Sequence, residues 1–339
     1  MLLAKFSRQR KCQHYFLGLC LLGLALLSGC SEHSTDAIPP TDQPSEKQNS
    51  LSEPTANLNK VDTARAKNEN PALQAFIAVI DQHYETLLTE ASLLKEQITQ
   101  FAISPSDKTR HDSLLAWEQA HNRYLAGRFL DQLFTGLITS ELQNQSEQPL
   151  LDVHKRLDAY PLLPGYLDAV QGYPLSGLIH TEIPLTLATL YQEFQLGDAA
   201  YVTLGFHALE VMLKGTDKER KVTDFEALKT LQDTSKASPA LRRTLYCSLL
   251  AEQIQEDIKT LPTQWQQGMQ AILYNLDVEQ TKSLKSRLTK TLHQQATKSD
   301  ETTEENKHQT ESTEHKSELA LTMEQNLRQA LLETLKSPQ

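Results

Sequence analysis

Leu73, Phe76, Ile77, Ile80, Tyr84, Leu87, Leu88, Ala91, Leu94 and Ile98 recur at three-and-four spacing without a break. Residues so spaced line one face of an α-helix, so the run predicts a long amphipathic helix with a buried stripe. Pro71 is a start signal for it, because the first helical turn tolerates proline. A second helix is expected from near Ser104-Pro105, with Leu114, Trp117, His121, Tyr124 and Leu125 on one face. The pattern returns from about Leu241 to Leu261 (Leu245, Leu249, Ile254, Ile258) and again at Leu319, Met323, Leu327, Ala330 and Leu331. Period-two alternation is weak throughout. The chain therefore reads as all-α, with antiparallel helical bundles joined by loops.

Residues 156–187 resist this reading, because four prolines and three glycines would break a helix repeatedly. The segment also holds three tyrosines and several leucines. It is expected to be a long ordered loop, either covering one end of a bundle or serving function directly.

The N-terminus reads as a lipoprotein signal. Lys5, Arg8, Arg10 and Lys11 precede an apolar run from Phe16 to Leu27. That run is shorter than the roughly 20 residues a spanning helix needs and suits a secretory signal. Leu27-Ser28-Gly29-Cys30 resembles a bacterial lipobox, so residues 1–29 are expected to be removed and Cys30 to carry the lipid. An uncut signal anchor is the other reading. Ser31 at the following position favours the periplasmic face of the outer membrane over the inner membrane. The membrane, reached through Cys30, is then the first expected partner, and an envelope or metal-uptake protein the second. Residues 30–70 carry no aromatic residue and read as a disordered tether, 71–293 as the helical domain, 294–317 as an acidic polar linker, and 318–337 as a C-terminal amphipathic helix.

Processing alters charge and cysteine content. Loss of four basic residues takes the formal charge from −10 to −14. So acidic a chain argues against nucleic acid as a partner and is compatible with cations. Cys12 and Cys20 leave with the signal, Cys30 is blocked, and Cys247 alone remains. That excludes an intramolecular disulfide and a cysteine-rich zinc site, and Cys247 reads as a small core residue.

Candidate metal ligands are histidines and carboxylates. In Leu204-Gly205-Phe206-His207-Ala208-Leu209-Glu210, His207 and Glu210 lie three apart on one helix face, within about 6 Å. An imidazole with a carboxylate makes a half-site for Zn, Fe or Mn; the bland alternative is a surface hydrogen bond. Glu118 and His121 have the Glu-x-x-His spacing used in ferritin-like carboxylate sites and could complete a four-ligand set. Otherwise His121 is a core-edge histidine bonded to a neighbouring helix. Glu305 and His308 share the spacing but fall in the polar tract. Asp158 and Asp168 flank the Pro/Gly segment, as oxygen ligands, as orienting groups for a histidine, or as turn caps. Asp224 reads as a helix cap. No His-Glu-x-x-His string and no Gly-x-Ser-x-Gly elbow is present, so no catalytic residue is assigned.

Taken in order, these segments resemble the imelysin family of bacterial periplasmic and lipid-anchored proteins. Gly205-Phe206-His207-Ala208-Leu209-Glu210 resembles the family's Gly-x-His-x-x-Glu signature. Trp117 to Tyr124, Arg156 to Asp168, Gly172 to Gly177, Asp224-Phe225, and Arg242-Arg243 through Trp265 resemble flanking segments, so the likeness covers about 71–270. The resemblance implies two helical bundles around a cleft and an envelope role linked to iron or another metal. Members have also been described as peptidases. The acidic tract at 294–317 departs from longer members. Three readings follow: a lipid-anchored protein binding a divalent metal, iron or a metal-containing ligand at His207 and Glu210, with Glu118 and His121 as additions; a metal-dependent peptidase using the same residues; or an envelope scaffold in which His207 and Glu210 join two helices.

Overall fold

The structure, a computed structural model, describes residues 70–135, 147–229, 237–305 and 317–336. The signal at 1–29, Cys30 and the tether up to 69 lie outside the described residues, as does His308. The described elements are helical: α1 (Pro71–Ile103), α2 (Asp107–Gly127), α3 (Phe129–Thr135), α4 (Glu147–Leu157), α5 (Pro164–Leu167), α6 (Leu187–Glu193), α7 (Gly205–Lys214), α8 (Pro239–Trp265), α9 (Ala271–Tyr274), α10 (Val278–Glu305) and α11 (Glu318–Lys336). Among the described residues there is no strand, only an isolated bridge between Val170 and Tyr173.

Local chemistry fixes the helix starts. The Asn70 side chain accepts a hydrogen bond from the Leu73 N–H, with Pro71 in the first turn of α1. Ser106 and Thr109 form a reciprocal cap on α2, so that helix begins just after the expected Ser104-Pro105. Ser238 caps α8 ahead of Pro239. Each cap satisfies amide groups that the first turn leaves without partners.

Helix α1 is the shared spine. Its later stripe, Leu87, Ala91, Leu94, Ile98 and Phe101, packs with α2, α7 and α8 in one apolar cluster. Its earlier stripe, Leu73, Phe76, Ile77 and Ile80, packs with Phe129, Leu130, Trp265, Leu288, Leu292 and Leu331 in a second. Tyr84 touches both. The C-terminal helix closes the second cluster: α11 lies against α1 and α2, and the Arg328 guanidinium sits 3.8 Å from the centre of the Phe129 ring. Helix α10 continues to Glu305, so the segment expected as a linker from residue 294 begins as helix.

The Pro/Gly segment is ordered, for two physical reasons. Leu167, Leu178, Ile179 and Leu185 are buried in the first cluster. The Arg242 guanidinium, itself buried, donates to the carbonyls of Ile179 (3.0 Å), Leu178 (2.8 Å) and Ile183 (2.9 Å). Irregular backbone taken from water needs partners for its polar groups, and one arginine supplies three. Cys247 is buried, and burial pushes its thiol up to about 12, as befits an inert core residue.

Leu331 is fully buried whereas Leu319 on the same helix is 43% exposed. Leu331→Ala should therefore cost about 2–5 kcal/mol and Leu319→Ala less than about 0.5 kcal/mol in urea unfolding, if α11 belongs to the core.

Candidate metal centre

The site is built where the end of α4 meets the start of α7. Gly205 has φ +84°, and a Cβ there would lie 2.2 Å from the Arg156 carbonyl oxygen and 2.4 Å from that of Leu157. Only glycine combines that backbone angle with so close an approach. Buried polar bonds hold the contact. The Gly205 N–H donates to Gln253 Oε1 (2.9 Å), and Gln253 Nε2 donates to Asp257 Oδ2 (2.6 Å). Asp257 also receives two N–H groups of Arg156, at 2.6 and 2.9 Å. Asp158 follows two residues after Arg156 and His207 two residues after Gly205, so this network sets their separation.

Helix α2 is fixed to the same point. Trp117 Nε1 donates to the Phe206 carbonyl (2.9 Å), and the Phe206 ring stacks on His121 at 4.6 Å. His121 Nε2 then lies 2.7 Å from Asp158 Oδ1, and His207 Nε2 lies 3.2 Å from the same oxygen. The three donor atoms of His121, Asp158 and His207 lie within 4.8 Å of one another. The side chains are 9%, 4% and 17% exposed, so the group sits below the surface with His207 nearest to solvent. Tyr160 flanks it, its ring 5.5 Å from that of His207.

Two imidazole nitrogens and a carboxylate oxygen suit zinc, ferrous iron or manganese. The fit is supported by the donor set, since both histidines turn Nε2 toward one Asp158 oxygen, at 2.7 and 3.2 Å.

The structure sorts the expected ligands. His121 and His207 meet. Glu210 stands on the opposite edge of His207, with Oε2 3.8 Å from Nδ1, and it accepts a hydrogen bond from Lys214 (2.8 Å). Glu210 therefore faces the other nitrogen of the imidazole at ion-pair distance and lies outside the converging trio. Glu118 is exposed and lies outside it as well. Asp158, named from sequence only as one of two flanking aspartates, supplies the shared oxygen. Asp168 goes elsewhere, bound to Arg220 and Arg243. Asp224 accepts the Lys221 N–H as a cap on the short turn 222–224. Arg156, Gln253 and Asp257 had no assigned role; the four-residue spacing of Gln253 and Asp257 on an apolar-striped helix was the available signal.

Charge in the site is coupled. Burial lowers the pKa of His207, but the Asp158 and Glu210 carboxylates outweigh it and push it up to about 9. Burial raises Glu210, but His207 and Lys214 outweigh it and bring it down to about 2. A histidine with a raised folded pKa contributes stability that is complete below its unfolded value and is lost as pH rises through the folded one. The metal-free protein should thus lose stability between about pH 6.5 and 9 in denaturant titrations, and Asp158→Asn should flatten that slope. Gly205→Ala should cost at least about 2 kcal/mol, since the left-handed backbone alone accounts for 1–2 kcal/mol in an L-residue. A variant within experimental error of wild type would remove the close contact between α4 and α7 as the basis of the site.

A search among curated proteins finds no match. A family profile described as Imelysin matches residues 80–323, which include His121, Asp158, His207 and Glu210. That span exceeds half of the sequence and runs from α1 into α11, and the chain belongs to the imelysin family.

Proposed function

We propose that this protein binds a metal ion through His121 Nε2, Asp158 Oδ1 and His207 Nε2, and serves metal acquisition, of the iron class, as a lipid-anchored component of the cell envelope. The observation that carries the reading is convergence: α2, the turn after α4 and the first turn of α7 each bring one donor atom to one point. Glu210 would hold His207 in the orientation for binding, as carboxylates beside metal-bound histidines do. A bound metal would supply Lewis acidity at that point. For the peptidase reading, Glu210 is a poor general base, because it is held ionised between His207 and Lys214. Envelope localisation rests on the Leu27-Ser28-Gly29-Cys30 string and Ser31.

Binding must displace the proton that His207 holds up to about 9. Affinity should therefore rise roughly tenfold per pH unit between pH 7 and 9 and level off above. The test is elemental analysis of the full chain and calorimetric titration with Fe(II) and Zn(II). Wild type should take up one equivalent. His207→Ala and Asp158→Asn should lose at least tenfold in affinity, Glu210→Gln roughly 10–100-fold, and Glu118→Gln none. The absence of saturable binding, or Asp158→Asn binding like wild type, overturns the reading. Unfolding of His207→Ala with metal content unchanged supports the scaffold instead. Cys30→Ser should move the protein from the membrane fraction to the soluble fraction; unchanged fractionation would overturn the lipid anchor.

A further inference from the structure

A second polar cleft lies at the opposite end of α7, independent of the metal centre. Helix α7 spans about 15 Å at 1.5 Å per residue, with His207 in its first turn and Gly215 just past its last. The chain from Gly215 to Asp224 turns back and, with Asp168 and Arg243, lines an open cleft of about 200 Å³. Its frame is set: the Arg220 N–H donates to the Lys214 carbonyl (2.9 Å), and the Thr216 hydroxyl donates to that of Ala169 (3.2 Å).

The floor carries excess positive charge. Asp168, 1% exposed, meets Arg220 Nη2 at 2.7 Å and Arg243 Nε and Nη2 at 2.7 and 3.0 Å. One carboxylate thus faces two guanidiniums. Both arginines retain hydrogen-bonding capacity: Arg220, 7% exposed, has a buried Nε with no partner, and Arg243 Nη1 reaches only the Asp224 carbonyl at 3.4 Å. His180 Nε2 stands 3.3 Å from Asp168, also without a directed hydrogen bond. A buried ion network left with surplus charge and unused N–H groups is an incomplete one.

The rim has the opposite sign. Asp217, Glu219 and Asp224 line it. Asp217 Oδ1 accepts the Glu219 N–H and Asp224 Oδ2 accepts the Lys221 N–H, which leaves the second oxygen of each for another donor. A simple anion drawn to the arginines would meet three carboxylates on entry, and a simple cation drawn to the rim would meet two guanidiniums beneath. A ligand carrying both charges satisfies both layers. The volume falls below the roughly 300–1,000 Å³ of pockets for drug-sized ligands and the cleft is open to solvent, so it seats a small charged group pair from which the rest of a ligand can project.

We propose that this cleft binds a free α-amino acid, its carboxylate against Arg220 and Arg243 and its ammonium against Asp217 and Asp224. The test is calorimetric titration of the full chain with each of the protein amino acids, beside acetate and ethylamine. At least one amino acid should bind saturably, with acetate and ethylamine at least tenfold weaker. Asp217→Asn with Asp224→Asn should reduce amino-acid affinity at least tenfold while leaving or improving that for acetate. Arg220→Gln should abolish binding. Because Arg220 also neutralises buried Asp168, the rim variant decides the matter where Arg220→Gln does not fold. Three results overturn the proposal: no saturable amino acid, acetate bound as tightly as the best amino acid, or amino-acid affinity unchanged in the rim variant.

Discussion

The contact between the Gly205 backbone and the carbonyls of Arg156 and Leu157 is the constraint on which the site depends. It joins two segments distant in sequence, and a polar chain runs through it beside the buried Leu157, Leu204 and Phe206. Its strength comes from the Arg156–Asp257–Gln253–Gly205 chain of bonds, in which a paired charge, an amide and a helix-start N–H satisfy one another in the interior. Removing one member would leave a buried group unpaired, which costs more than the bond itself contributes. This explains how a glycine can matter to candidate ligands it never touches.

Around that contact the molecule is organised by α1, whose stripe feeds one apolar cluster with its first turns and another with its last. The His121, Asp158 and His207 trio lies beside the cluster shared with α2, α7 and α8, and α11 seals the other. Rigid helices on two sides hold the trio, while the Pro/Gly segment, tied by Arg242, carries Asp158 and Tyr160 at its leading edge.

The helices were legible because a 3.6-residue period leaves its mark on every buried turn: Leu73 to Ile98 lie in the helix and, for the most part, on the face that the spacing indicates. The Pro/Gly segment was legible as ordered, but its cause, three carbonyls on Arg242, has no local signature. The site was legible in part. His121 and His207 could be named, yet their meeting depends on how helices cross, which spacing along one helix does not specify. The same limit applies to two carboxylates. Glu118 shares a turn with His121 but falls on the solvent side, and Glu210 reaches the other nitrogen of His207. Asp158 follows a helix end in irregular chain, where periodicity offers no guide to direction.

The trio draws its three donors from segments that separate when the chain opens. An ion held there would bind the folded state and have little affinity for the open chain, so occupancy would add to stability by mass action. Loaded and empty molecules would then differ in lifetime under proteolysis as well as in composition. Scarcity of such an ion would then be recorded in the protein's own abundance.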